Sequence, residues 1–141
     1  MSDGPADFNQ AMIQEFRANG GRTEAFGDAP LLLLTSTGAR SGQPRVSPLM
    51  YQADEARPDT VYVFASYAGA DVHPAWYHNV LANPQVSVEI GTEQHTGTAR
   101  VLAEPARARI YDIQAERFPA FADYREKTSR VIPVVAIDLD R

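Results

Sequence analysis

The stretch LLLLTSTGARSGQPRVSPLMY, residues 31–51, decides the fold. Four leucines and three hydroxyl residues form an aliphatic, then β-branched run between Pro30 and Gly38. Gly38 to Pro44 (GARSGQP) is dense in turn formers, and Arg45 to Tyr51 returns as a second apolar run. This reads as strand, turn, strand. A connection this short cannot carry a parallel crossover, so the pair is an antiparallel hairpin.

The same pattern continues outward. After the charged turn ADEARPD (53–59), TVYVFAS (60–66) alternates as a third strand. A Gly/Ala loop follows over 67–73. Pro74 then opens a helix, AWYHNVLAN, which Asn83-Pro84 ends. Val86, Val88 and Ile90 alternate with polar residues as a fourth strand, 91–93 turn it, and 94–103 make a fifth. Pro105 opens a helix running through Phe118, with Ile110 and Ile113 assigned to its core face. Pro119 interrupts that helix before a second piece ending near Arg130. VIPVVAIDL (131–139) is the last strand, and Pro133 within it points to an edge position or a bulge. Upstream, Phe8, Met12, Ile13 and Phe16 space a helix over 7–19 that Gly20-Gly21 stops. The order α-β-β-β-α-β-β-α-α-β gives an α+β, mainly β fold: about six antiparallel strands, closed or half-closed as a barrel, with flanking helices. A doubly wound parallel sheet would need more crossover helices than the chain contains.

At 141 residues and 15.5 kDa the chain is expected to form one domain. An apolar fraction of 44% and a charged fraction of 22% are those of a globular protein. The absence of cysteine excludes disulfides, iron–sulfur ligation, thiolate nucleophiles and cysteine–zinc sites. A net charge of −5 argues against nucleic acid as a partner. No apolar run is long enough to span a bilayer, and the first residues, MSDGPAD, lack the pattern of a secretory signal. A cytoplasmic protein is expected, with at most peripheral contact to the inner face of the membrane through the first helix.

Within an acidic chain, TSTGARSGQPR gathers hydroxyls, glycines and two arginines, Arg40 and Arg45, at the mouth of a hairpin. Exposed backbone N–H groups and planar guanidinium forks suit phosphate or carboxylate. A solvated surface hairpin fits the same composition. The spacing is not that of a P-loop, and no G-x-G-x-x-G occurs. In HPAWYHN (73–79), His73 and His78 lie about 140° apart on a helix and so cannot share a metal, and no metal site is expected. Trp76 and Tyr77 are core or groove aromatics, and His95 is expected to be exposed. Tyr111, Phe118, Phe121 and Tyr124 either pack a core or cover a flat ligand.

Four blocks in order, LLLTSTGARSGQPRVSPLMY, FASYAGA, HPAWYHNVLANPQVSVEI and RFPAFADYREKTSRVIPVV, closely resemble the deazaflavin-dependent nitroreductase family of actinobacteria, which includes F420H2-dependent quinone reductases. The resemblance implies a split β-barrel, similar to FMN-binding split barrels, that binds coenzyme F420, an 8-hydroxy-5-deazaflavin. It divides the chain into an N-terminal helix and lead-in (1–29) and a single cofactor-binding barrel (30–141). By the family pattern Ala39, Arg40, Ser41 and Arg45 meet the anionic tail of the cofactor. Val46, Ser47, Pro48, Leu49 and Met50 lie along its ring. Phe64, Ala65, Ser66 and Tyr67, then Ala75, Trp76, Tyr77, His78 and Asn79, and finally Phe121 complete the cofactor site. Ser66 and Tyr124 are the candidate proton donors.

Two departures from the family stand out. Tyr67 replaces the usual lysine, and Phe118 and Phe121 replace two of three spaced tyrosines, leaving Tyr124. The implied activity is hydride transfer from F420H2 to a quinone, enone or nitro compound, by a monomer or a homodimer. Loss of two hydroxyl donors predicts weak reduction of bicyclic nitroimidazoles. Two other readings remain: an FMN-dependent reductase or oxidase of the same fold, and a non-catalytic cofactor- or lipid-binding protein.

Overall fold

The computed structural model describes residues 5–140, with side chains from residue 9 onward. Helix α1 (Pro5–Ala18) precedes three strands, β1 (Leu31–Thr37), β2 (Pro44–Ala53) and β3 (Thr60–Phe64). A single 3-10 turn at Tyr67–Gly69 leads to α2 (Ala75–Ala82). Strands β4 (Gln85–Ile90) and β5 (Glu93–Val101), helices α3 (Ala106–Arg117) and α4 (Pro119–Lys127), and β6 (Val134–Leu139) complete the chain. The strands close into an antiparallel barrel in the order β1-β2-β3-β6-β5-β4.

The leucine run has no polar alternation because both of its faces are covered. Leu32 and Leu34 join Val61, Val63, Val88, Val135 and Ile137 in the main core, to which α2 adds Trp76 and Val80. Leu31 and Leu33 point the other way and pack against Met12, Ile13 and Phe16 of α1. Full burial of one such side chain contributes about 1.5–3 kcal/mol. The apolar stripe of α1 is therefore covered by the barrel instead of facing solvent; the side chain of Phe8 lies outside the described residues. On the far side, Tyr62, Phe64, Val134 and Ala136 pack against Ile110, Tyr111, Ala115 and Phe121 of α3 and α4.

Three local expectations are corrected. β6 is not an edge, because it pairs with both β3 and β5, and Pro133 sits just before the strand, where its carbonyl accepts the Ala65 N–H at 3.0 Å. Closure of the barrel is a long-range event that a proline cannot report. Ile113 is only half-buried, whereas Ile110 is in the core. The His95 side chain is 15% exposed and pairs at 3.0 Å with Glu93, two residues earlier on the same face of β5.

Candidate active site

A long cleft opens between the β1–β2 turn, α1, α2 and the start of α4. It consists of two adjoining cavities, of about 1110 Å³ and about 430 Å³, that share Asn9, Ser47, Ala75 and Trp76.

The larger cavity is the polar end. Its wall is the hairpin turn, from Gly38 to Ser41 and on through Arg45, Val46 and Ser47, faced by His78 and Asn79 of α2. The turn keeps its shape through local bonds. The Gly38 N–H donates to the Gln43 carbonyl at 2.8 Å and the Gly42 N–H to the Gly38 carbonyl at 2.9 Å. A Cβ on Gly38 would lie 2.5 Å from Ser41 Oγ, so a side chain there would displace the Ser41 hydroxyl from its bonds. Ser41 Oγ accepts from the Gln43 N–H at 3.1 Å and from Arg45 Nη2 at 3.3 Å.

One tertiary bond anchors the loop. Buried Asn79 accepts the Ala39 N–H at 2.9 Å and reaches Ser36 Oγ at 3.5 Å through its Nδ2. Arg17, by contrast, grips Glu89 through two bonds of 2.9 and 2.8 Å. Arg40 and Arg45 line the cavity and form no ion pair among the described residues. Such a place suits an anion.

The smaller cavity is the apolar end. Ser47 to Met50 of β2 form its floor, Phe64, Ser66, Tyr67 and Ala68 one side, and Phe121 and Tyr124 the other. Phe121 sits edge-on to Phe64, with centroids 5.5 Å apart, and to Tyr124 at 5.2 Å. The Tyr111 hydroxyl donates to the Phe121 carbonyl at 2.7 Å and fixes the first turn of α4. Burial pushes that hydroxyl up to about 12, so it holds its proton and acts as a fastener.

Most of the residues singled out in the sequence converge on this cleft: Ala39, Arg40, Ser41, Arg45 and the 46–50 run, Phe64, Ser66, Tyr67, Ala75, Trp76, His78, Asn79, Phe121 and Tyr124. Three do not line it. Ala65 is fully buried in the main core, Tyr77 stacks on His73 with centroids 4.7 Å apart, and Phe118 packs beside the α3–α4 cluster. Phe118 therefore stands outside the pocket in which it was expected. His73 and His78 are not on opposite helix faces, because α2 starts after His73, and their rings lie 5.9 Å apart. His73 Nδ1 accepts from Arg130 Nη1 at 3.0 Å. Burial, the Arg130 charge and His78 lower its basicity. No group of three metal-ligating side chains occurs among the described residues.

Sequence reasoning named none of the α1 residues that line the cleft, Asn9, Gln10, Ile13 and Arg17, as site residues, and it missed the role of Arg130. The helical period does show that α1 carries a polar face, but not that the face turns toward the hairpin.

A barrel cleft with a cationic end and an apolar, aromatic end suits a flat ring that carries an anionic tail. The chain belongs to the F420H(2)-dependent quinone reductase family, whose model matches residues 8–138. An F420H(2)-dependent quinone reductase of Mycobacterium tuberculosis is 38% identical over 114 residues, covering 79% of this chain and 74% of the relative. A solved F420-H2-dependent reductase is 39% identical with a TM-score of 0.68, covering 77% of this chain and 93% of its own. A second solved chain, described as a domain-swapped dimer, is 36% identical with a TM-score of 0.70 and covers 95% of this chain and 99% of its own.

Proposed function

We propose that this protein passes a hydride from F420H2 to a flat, apolar acceptor, a quinone or an activated enone, and only weakly to nitro compounds. The observation that carries this reading is the division of one cleft into an arginine-bearing end and an aromatic end. When bound, reduced F420 supplies the hydride, so the protein needs to contribute only orientation, an anion clamp and a dry pocket.

The residues fit that cofactor. Arg40, Ser41 and Arg45 are placed to hold a phosphate and carboxylate tail. The Val46–Met50 edge of β2 and the buried Trp76 offer a wall for the ring. Phe121 and Tyr124 leave a mostly apolar space beside that wall for the acceptor. Ser47, Ser66, Tyr67 and Tyr124 bring hydroxyls to this space, and of these Ser66 or Tyr124 is the proposed source of the proton for the reduced acceptor. Phe121 supplies ring surface but no donor, so charge developing on a nitro oxygen would be poorly stabilised.

Binding and turnover test the proposal together. Purified protein is titrated with oxidised F420 and with FMN, and F420H2 oxidation is followed with menadione, cyclohexenone and a bicyclic nitroimidazole. Saturable F420 binding with a preference for menadione or cyclohexenone is expected. Binding of FMN alone, or a preference for the nitroimidazole, contradicts the reading.

A further inference from the structure

We infer that Arg130 is a positioning residue that fastens the turn forming one wall of the acceptor pocket. The inference rests on the assignment of the aromatic end of the cleft to the acceptor. Ser66, Tyr67 and Ala68 line that end, and their backbone is unusual. Tyr67 has φ +47° and Ala68 φ +53°, followed by Gly69 at +82°. A bulky side chain in the left-handed region is uncommon and persists only where the surroundings enforce it. Gly69 packs closely on α4, where an added Cβ would lie 3.1 Å from both Cα and the carbonyl oxygen of Tyr124.

The enforcement comes from the segment joining α4 to β6. Arg130 alone makes four bonds to the 65–73 segment. Its Nη2 donates to the carbonyls of Ala65 at 3.1 Å and Ser66 at 3.0 Å. Its Nε donates to the Ala70 carbonyl at 2.8 Å, and its Nη1 donates to His73 Nδ1 at 3.0 Å. A planar fork can satisfy acceptors in several directions at once, which an ammonium cannot. Lys127 Nζ adds a bond to the Ala68 carbonyl at 3.3 Å, and Thr128 Oγ1 one to Asp71 at 2.9 Å. The clamped turn keeps its own bonds, Gly69 N–H to Ser66 carbonyl at 2.9 Å and Ala70 N–H to Tyr67 carbonyl at 3.0 Å.

The functional consequence lies at Tyr67, which lines the pocket although it is 53% exposed. Little packing holds it there, so its position depends on the backbone, and the backbone depends on Arg130. The two ends of the cleft then respond differently to loss of Arg130. The arginine cradle at Gly38–Arg45 shares no bond with the turn and should keep its grip on F420.

The test compares wild type, Arg130→Ala and Arg130→Lys in the full chain. Amide hydrogen exchange is read first, without cofactor. In Arg130→Ala the Gly69 and Ala70 amides are expected to exchange at least about 10-fold faster while strand amides are unchanged, as the loss of charged hydrogen bonds implies. With cofactor, the KM for menadione should rise about 10-fold with F420 affinity within about twofold of wild type. Guanidinium ion in the tens of millimolar should restore a large part of the lost KM in Arg130→Ala and leave wild type unaffected. Access for that ion exists, because Arg130 lines a cavity of about 260 Å³ on its outer side. Arg130→Lys should fall between, which keeps the test open if the alanine variant folds poorly. Unchanged exchange at Gly69 and Ala70 in both variants overturns the clamp. A KM effect that tracks loss of Tm, worsens F420 affinity equally and resists guanidinium reduces Arg130 to a purely structural role. If wild type binds no F420, the functional assignment fails while the exchange result still decides the clamp.

Discussion

The arginine cradle of the polar end is one hairpin turn, faced by α1 and α2, whereas the aromatic end is assembled from β2, the 64–68 segment, the start of α2 and α4. The first is local in sequence and held by short-range bonds within residues 38–45, plus Asn79. The second depends on contacts across more than fifty residues, such as those of Arg130 to the turn. The contrast suggests a division of work. A local, rigid, cationic turn is suited to gripping one fixed cofactor. A wall made of several segments can change with a single substitution, and so is suited to selecting acceptors.

The largest effect should come from the cradle. Arg40→Ala or Arg45→Ala alone should weaken F420 binding roughly 10- to 100-fold, from about 1.5–3 kcal/mol per charge-assisted bond. Together they should cost about 10²- to 10⁴-fold if the two contributions add. Wild-type affinity should fall with salt, and less so in the double variant. A fluorescence titration at several ionic strengths checks this; an unchanged Kd in the double variant would break the contrast from one side.

Next in size is the aromatic end. Phe121→Tyr places a hydroxyl at the pocket, and the rate with a nitroimidazole should rise about 10-fold or more, since a single well-aimed donor can matter that much. Phe118→Tyr, outside the cleft, should change little. Equal gains from the two variants would mean that α4 sits differently against the barrel.

How much of this was legible follows from the same contrast. The run Leu31 to Leu34 and the turn Gly38 to Pro44 carry their meaning locally, through hydrophobic pattern and turn chemistry, and the hairpin forms as they predict. The arginine cradle proposed for the cofactor lies in that turn. That Phe118 falls outside the cleft was not legible, because helical spacing cannot say which side of α4 meets the barrel. Pro133 was misplaced because barrel closure removes the edge that its ring would prefer. Arg130 was invisible because three of its four acceptors are backbone carbonyls, which every residue carries.

Smaller effects probe the turn itself. Gly69→Ala meets both a φ of +82° and the Tyr124 backbone at 3.1 Å, and should lose roughly 1–3 kcal/mol. A thermal melt would register this as a drop of several degrees in Tm; an unchanged Tm would show that α4 yields readily. The smallest effect is pH-dependent. The His73 imidazole is held below its ordinary 6.5 by burial, the Arg130 charge and His78. The unfolded chain therefore takes up this proton at a higher pH than the folded one. Stability is full above about pH 6.5 and declines as pH falls through and below that value, levelling once the folded form also protonates. His73→Asn should remove that part of the decline in denaturant melts between neutral and mildly acidic pH; an identical pH profile would exclude His73 as its source.

The division of the cleft is tested most directly by a four-way binding measurement. Oxidised F420 and the same deazaflavin lacking its phosphate and carboxylate tail are each titrated into wild type and into Arg40→Ala/Arg45→Ala. Wild type should bind F420 far more tightly than the tail-less ring, the double variant should bind both alike, and the tail-less ring should bind both proteins equally. An equal loss of affinity for both ligands in the double variant, or undiminished F420 binding, would contradict the assignment of the arginine turn to the tail.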